Sequence, residues 1–204
     1  MGTMADEPEE QEPTLSGRLE AWFTSDRPKT LGDLVETFGS QSFALLFVVL
    51  MAFPALPLPT GGLSHVLEIV TMLLALELVA GRNEVWIPRR FQGRELKGVS
   101  GPKFSELLLR RIRWFERFSR PRWARVLRMR LTGVAIGLIV LALTLAAFLS
   151  PPFSGLDTLP SMGVVVLGLG ILFGDVIVAG AGVGIGVVGV GLVIGLSSAI
   201  FSQL

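Results

Sequence analysis

The sequence predicts an all-α integral membrane protein. It comprises two repeated helical hairpins with Pro/Gly-broken turns, a basic amphipathic interfacial helix between them, and a final Gly-rich transmembrane helix. Three observations carry this prediction. Fifteen of the eighteen Lys and Arg residues lie between Arg82 and Arg130, and none follows Arg130. The flanking stretches are nearly free of charge, holding only Glu68, Glu77 and the single histidine, His65, from Phe43 to Gly81, and Asp157 and Asp175 from Leu131 onward. Half of the 204 residues are hydrophobic and 24 are Gly, with a mean hydropathy of +0.62. A cation at the bilayer centre costs about 2.5–3.5 kcal/mol on the mildest scale, and cytoplasmic loops collect Lys and Arg. The layout therefore reads as membrane block, cytoplasmic basic segment, membrane block.

The composition also excludes chemistry. With no Cys there is no disulfide, iron–sulfur cluster or thiol nucleophile, and one His without Cys argues against a zinc site. No cofactor is expected. A basic block between membrane segments meets anionic lipid headgroups rather than nucleic acid.

The elements follow in order. Residues 1–14 form an acidic tail without apolar periodicity, read as disordered, and they lack the basic-then-apolar layout of a signal peptide. Residues 15–41 hold two short cytoplasmic or interfacial helices. Leu15, Leu19, Trp22 and Phe23 share one face; Thr30 and Asp33 come close to a capping box. Leu31, Leu34, Val35 and Phe38 then form a stripe that stops at Gly39. A small soluble hairpin is the other placement of this region.

Residues 42–81 are the first membrane hairpin. Phe43 to Phe53 is eleven residues, against about twenty needed to span a bilayer. Pro54, Pro57, Pro59, Gly61 and Gly62 then forbid an ordinary helix, and Leu63 to Gly81 supplies the return arm. The broken turn sits either at the far surface or at membrane depth, where irregular backbone must be shielded.

Residues 82–130 are the basic segment. Trp86-Ile87-Pro88 resembles an interfacial anchor. From Ser105 to Phe118, the side chains Leu108, Ile112, Phe115 and Phe118 stack on one face, with Arg110, Arg113 and Arg117 mostly elsewhere. Such a helix lies in the headgroup plane. Residues 131–204 are the second hairpin plus the last helix: Leu131–Leu149, a turn at Pro151 and Pro152, Leu159–Phe173, Gly174-Asp175, then Val176–Phe201. In the last segment Gly182, Gly186, Gly191 and Gly195 fall at small-xxx-small spacing, which predicts close helix packing and a homodimer.

The two blocks align with each other. Leu63 to Arg82 lies over Leu156 to Asp175, matching Leu63/Leu156, Val66/Leu159, Leu74/Leu167, Leu76/Leu169 and Gly81/Gly174. Repeated broken hairpins recur in transport folds, with sites near the interruptions. If both hairpins fully span, the repeat is parallel.

His65 and Glu68 are three residues apart and share a helix face just after the first proline turn. Ionisable groups within a membrane helix are functional candidates, so His65, Glu68 and Glu77 form a candidate intramembrane polar site for a cation or a proton. At the far interface His65 and Glu68 would simply be hydrated. Glu77 is placed to pair with Arg82 or the basic segment, and Asp157 and Asp175 to cap helices. No Ser/His/Asp set and no metal set is present, so the sequence predicts no enzyme.

The run Leu31-Gly-Asp-Leu-Val-Glu-Thr-Phe-Gly39, then Ser42-Phe43-Ala-Leu-Leu and Phe53-Pro54, resembles the ExoD family. So do Leu56-Pro57-Leu-Pro59-Thr-Gly-Gly, Leu76-Glu-Leu-Val-Ala-Gly-Arg82, Trp86-Ile-Pro88 and Asp157-Thr-Leu-Pro160. The resemblance covers roughly residues 30–200 and weakens around Gly174-Asp175. It implies a bacterial inner-membrane protein affecting exopolysaccharide production. The reading is then of a non-enzymatic transporter, channel or scaffold component, with an ion- or proton-coupled transporter of indirect effect, favoured by the broken hairpins and buried acids, as the alternative. It implies no known reaction, so no catalytic residue is carried over.

Overall fold

The computed structural model of the chain describes residues 14–56, 62–82, 84–87, 130–150 and 155–201, together with Gln92, Gly93, Glu106, Leu109, Arg110 and Arg113. Its helices are α1 (Leu15–Thr24), α2 (Leu31–Phe38), α3 (Ser42–Met51), α4 (Gly62–Val79), α5 (Arg130–Phe148), α6 (Thr158–Phe173) and α7 (Val176–Phe201). A 3-10 turn at Gly39–Gln41 leads into α3. Residues 1–13, Pro57, Pro59, Gly61, Pro151 and Pro152 lie outside the described residues. So does the expected interfacial helix, apart from Glu106, Leu109, Arg110 and Arg113, which are helical. Thr14, assigned to the tail by sequence, is instead the N-cap of α1: its hydroxyl accepts from the Gly17 N–H at 3.2 Å.

Three stretches are long and apolar enough to cross a membrane: Gly62–Val79, Leu131–Phe148 and Val176–Leu196. Helices α3 and α6 have 10 and 16 residues. Helix α4 shows what kind of bundle this is. Its exposed face carries Leu63, Val66, Ile69, Val70, Leu73 and Leu76, while Ser64, Glu68 and Thr71 are buried with Leu74 and Ala75. Apolar side chains outside and polar ones inside suit a helix whose solvent is lipid.

The bundle pairs α4 with α5, α3 with α6, and α6 with α7. Bare glycines set these distances. A Cβ on Gly163 would stand 2.6 Å from the Gly186 Cα, and one on Gly189 would stand 2.7 Å from the ring of Pro160. A Cβ on Gly137 would meet the Val79 Cγ2 at 2.9 Å, the Ala75 carbonyl at 3.0 Å and the Val79 N at 3.0 Å. A Cβ on Gly168 would meet the Val48 Cγ2 at 2.7 Å, the Ala44 carbonyl at 3.1 Å and the Val48 N at 3.6 Å.

Those last two contacts are the same contact with the hairpins exchanged. Position 44 becomes 137 and position 75 becomes 168, a shift of 93 residues in both cases. The helix ends follow the same shift. After α4, the Gly81 N–H donates to the Leu78 carbonyl at 3.0 Å and the Arg82 N–H to the Glu77 carbonyl at 3.2 Å. After α6, the Gly174 N–H donates to the Ile171 carbonyl at 3.1 Å and the Asp175 N–H to the Gly170 carbonyl at 2.8 Å. Both are Schellman ends closed by a left-handed glycine, Gly81 at φ 81° and Gly174 at φ 66°.

Helices α1 and α2 close one end of the bundle. Leu15, Leu19, Trp22, Leu34 and Phe38 are buried against Ala44, Leu45 and Leu172, with Leu109 packed at the edge. Arg113 reaches the same end and contacts the Glu20 carboxylate at 2.6 Å. The Thr30 hydroxyl caps α2 by accepting from the Asp33 N–H, but Asp33 does not complete a capping box. Its carboxylate accepts from the Trp22 indole at 2.5 Å, tying α2 to α1.

Candidate intramembrane polar site

The site starts from the buried face of α4. Three residues separate His65 from Glu68, so the helix stacks them, and the imidazole Nδ1 lies 3.2 Å from Glu68 Oε2. The two differ in access: the Glu68 side chain is fully buried, while the His65 side chain is 37% exposed. The approach is that of an ion pair if the imidazole is protonated, but it is not aligned as a hydrogen bond. Neither Glu68 oxygen has a hydrogen-bond partner among the described residues. A carboxylate in such a place is costly unless it is neutralised or paired.

The neighbouring helices add hydroxyls. Helix α5 runs antiparallel to α4, with Gly137 against Ala75 and the Phe148 ring 5.1 Å from the His65 ring. That register sets Thr144 level with Glu68. Helix α6 begins after Asp157 and carries Ser161 one turn later. The hydroxyls of Thr144 and Ser161 are fully buried and, like the carboxyl, have no hydrogen-bond partner among the described residues. Thr71, one turn below Glu68, is self-contained, donating to the Leu67 carbonyl at 2.8 Å.

Sequence reasoning missed Thr144 and Ser161. The signal for Ser161 was available: 93 residues after Glu68, it occupies the matching position of α6, and both positions are fully buried. Thr144 in turn matches Met51, also fully buried.

The structure brings His65 and Glu68 together and leaves Glu77 apart. Glu77 Oε2 accepts from the Trp86 backbone N–H at 2.9 Å, so it fastens the chain leaving α4 rather than pairing with Arg82. Arg82 lies over the Trp86 ring at 5.7 Å instead. Asp175 caps α7, accepting from the Ile177 N–H at 2.9 Å. Asp157 occupies the N-cap position of α6 but makes no side-chain cap bond, contrary to the capping role expected for it. Of the turn residues, Pro54 is buried and Gly62 opens α4. Of the packing glycines, Gly182 and Gly186 are consumed within the chain, against α6 and the Leu143 side chain, whereas Gly191 and Gly195 face open space. Any contact between copies through α7 therefore uses its other face, where Gly180 and Gly184 are also open.

Comparison with known proteins agrees over most of the chain. The family model described as "Exopolysaccharide synthesis, ExoD" matches residues 15–195. The uncharacterized protein slr1875 of Synechocystis sp. is 29% identical over 171 residues, which is 82% of this chain and 80% of that protein. No solved structure matches.

Proposed function

The chain belongs to the ExoD family, and on that premise we propose that it serves exopolysaccharide synthesis as a non-enzymatic membrane component with a transport or channel role, rather than as a scaffold alone. The observation that carries the transport reading is the inside-out build of α4. A helix whose only duty is to anchor or pack has no use for a fully buried carboxyl, since an apolar residue there is cheaper by a few kcal/mol. The absence of Cys and the single His, from the sequence, support a role without covalent or metal chemistry.

The two hairpins, in this reading, are copies of one unit. The matched Ala–Gly contacts and the matched Schellman ends support it, and both hairpins start from the same end of the bundle. The basic segment is cytoplasmic and meets anionic headgroups, supported by its fifteen Lys and Arg residues. Cysteines replacing Arg90 or Lys103 should then be shielded from an impermeant thiol reagent in intact spheroplasts, and ready labelling would reverse the orientation. A homodimer would form through Gly180, Gly184, Gly191 and Gly195, and Gly184→Leu should shift the mass in detergent toward monomer.

The functional test is genetic. Deleting the gene should lower secreted exopolysaccharide, wild-type chain should restore it, and Glu68→Gln should insert normally yet fail to restore it. Unchanged exopolysaccharide in the deletion strain would overturn the role. Full restoration by Glu68→Gln would leave the scaffold reading.

A further inference from the structure

We infer that His65 and Glu68 form a proton-exchanging pair, in which Glu68 holds a proton inside the bundle and His65 passes it to and from the medium at the end opposite α1 and α2. The inference deepens the transport reading above and names the coupling ion as a proton. It begins from the asymmetry of access. A group that only balances a buried charge is best buried with it, yet His65 is 37% exposed while Glu68 is fully enclosed. The imidazole has one side toward the exterior and its Nδ1 at 3.2 Å from the carboxyl. In the transfer, the imidazolium N–H bond breaks, an O–H bond forms on Glu68 Oε2, and a separated charge pair becomes two neutral groups. The reverse step returns the proton to His65 and then to water. No other reactant is required.

The surroundings suit both states. Hydroxyls donate and accept with the same atom, and the buried Thr144 hydroxyl, level with Glu68 and without a hydrogen-bond partner among the described residues, is compatible with either charge state of the carboxyl. A permanent salt bridge would instead show carboxylate oxygens fixed by aligned donors. The nearby titratable groups are few. Helix α4 contributes His65 itself, and Asp157 stands at the N-cap position of α6. Helices α3, α5 and α7 bring no charged side chain to this level: α3 and α7 contain none, and the only one in α5, Arg130, is at its opposite end. The turn sequences 57–61 and 151–154 contain none. Besides the pair, Asp157 is thus the one acid in the helices and turns at this end of the bundle.

Infrared difference spectroscopy on the full chain in liposomes, taken between about pH 4 and about pH 9, tests this directly. The wild type should show the carbonyl band of a buried neutral carboxylic acid that shifts in heavy water and disappears as pH rises. Glu68→Gln should abolish the band, Glu68→Asp should move it, and Asp157→Asn should keep it. His65→Ala should displace its midpoint and slow its exchange in heavy water. If Glu68→Gln proves unfolded, the shift in Glu68→Asp carries the assignment. A band that survives Glu68→Gln, or no pH-dependent band at all, overturns the inference. So does a band erased by sodium at constant pH, which would make the occupant an alkali cation. Because this readout needs no polysaccharide, a proton-exchanging Glu68 in a protein whose deletion leaves exopolysaccharide unchanged would sink the functional role and not the site.

Discussion

At the end of the bundle capped by α1 and α2, the charged and aromatic polar groups are answered one by one and the Ser42 hydroxyl alone of those described is not; in the interior the Glu68 carboxyl and the Thr144 and Ser161 hydroxyls are all unanswered among the described residues. At the capped end the Trp22 indole donates to Asp33, and the Arg18 guanidinium donates to the Gln41 side chain at 2.9 Å and the Thr37 carbonyl at 2.6 Å while lying over Phe38. The Lys29 ammonium donates to the Trp22 carbonyl and to the Ser25 carbonyl. In the interior, Glu68, Thr144 and Ser161 are more deeply buried than any of these and have no such bonds among the described residues. Burial without pairing is the more expensive arrangement, so the first region reads as architecture and the second as a place kept polar for use.

The comparison breaks most severely at Trp22. Trp22→Ala removes a buried ring and leaves Asp33 without its donor. The expected loss is about 3–5 kcal/mol, read as a lowered thermal midpoint by circular dichroism in detergent. An unchanged midpoint would mean α1 contributes nothing to the folded bundle.

One substitution type then sharpens the contrast. Asp33→Met should destabilise by about 1–3 kcal/mol, because the indole N–H loses its acceptor. Glu68→Met should do the opposite, raising stability by about 1 kcal/mol, because an unpaired buried acid is replaced by an apolar chain of similar length. Equal losses at both positions would show that Glu68 is as structural as Asp33.

The smallest effect belongs to Glu77. Glu77→Gln keeps an oxygen for the Trp86 N–H, so stability should stay within about 0.5 kcal/mol. A large change would give Glu77 a role beyond fastening the chain after α4.

Much of this was legible from the sequence, for physical reasons. Charge segregation and apolar length located the three long helices to within a residue or two, and Gly39, Gly81 and Gly174 marked stops because each needs a left-handed backbone. His65 and Glu68 stood out because ionisable residues are rare in such helices. Other features left no local trace. Thr144 is one hydroxyl in an apolar helix, and only the packing of α5 on α4 makes it a neighbour of Glu68. The partner of Glu77 is a backbone N–H, which every residue but proline carries. Gly182 and Gly191 look alike in the sequence, yet the turn at Gly174 folds α7 onto α6 so that one is enclosed and the other is open.

Positions 68 and 161 are both fully buried and differ in chemistry. Two identical hairpins associating as separate molecules would have to place the same residue at both, and two carboxyls beside one axis each make the other harder to ionise. A single chain that carries both hairpins is free of that constraint. One half carries an acid and the other a hydroxyl at the position 93 residues on, a difference closed to a symmetric assembly.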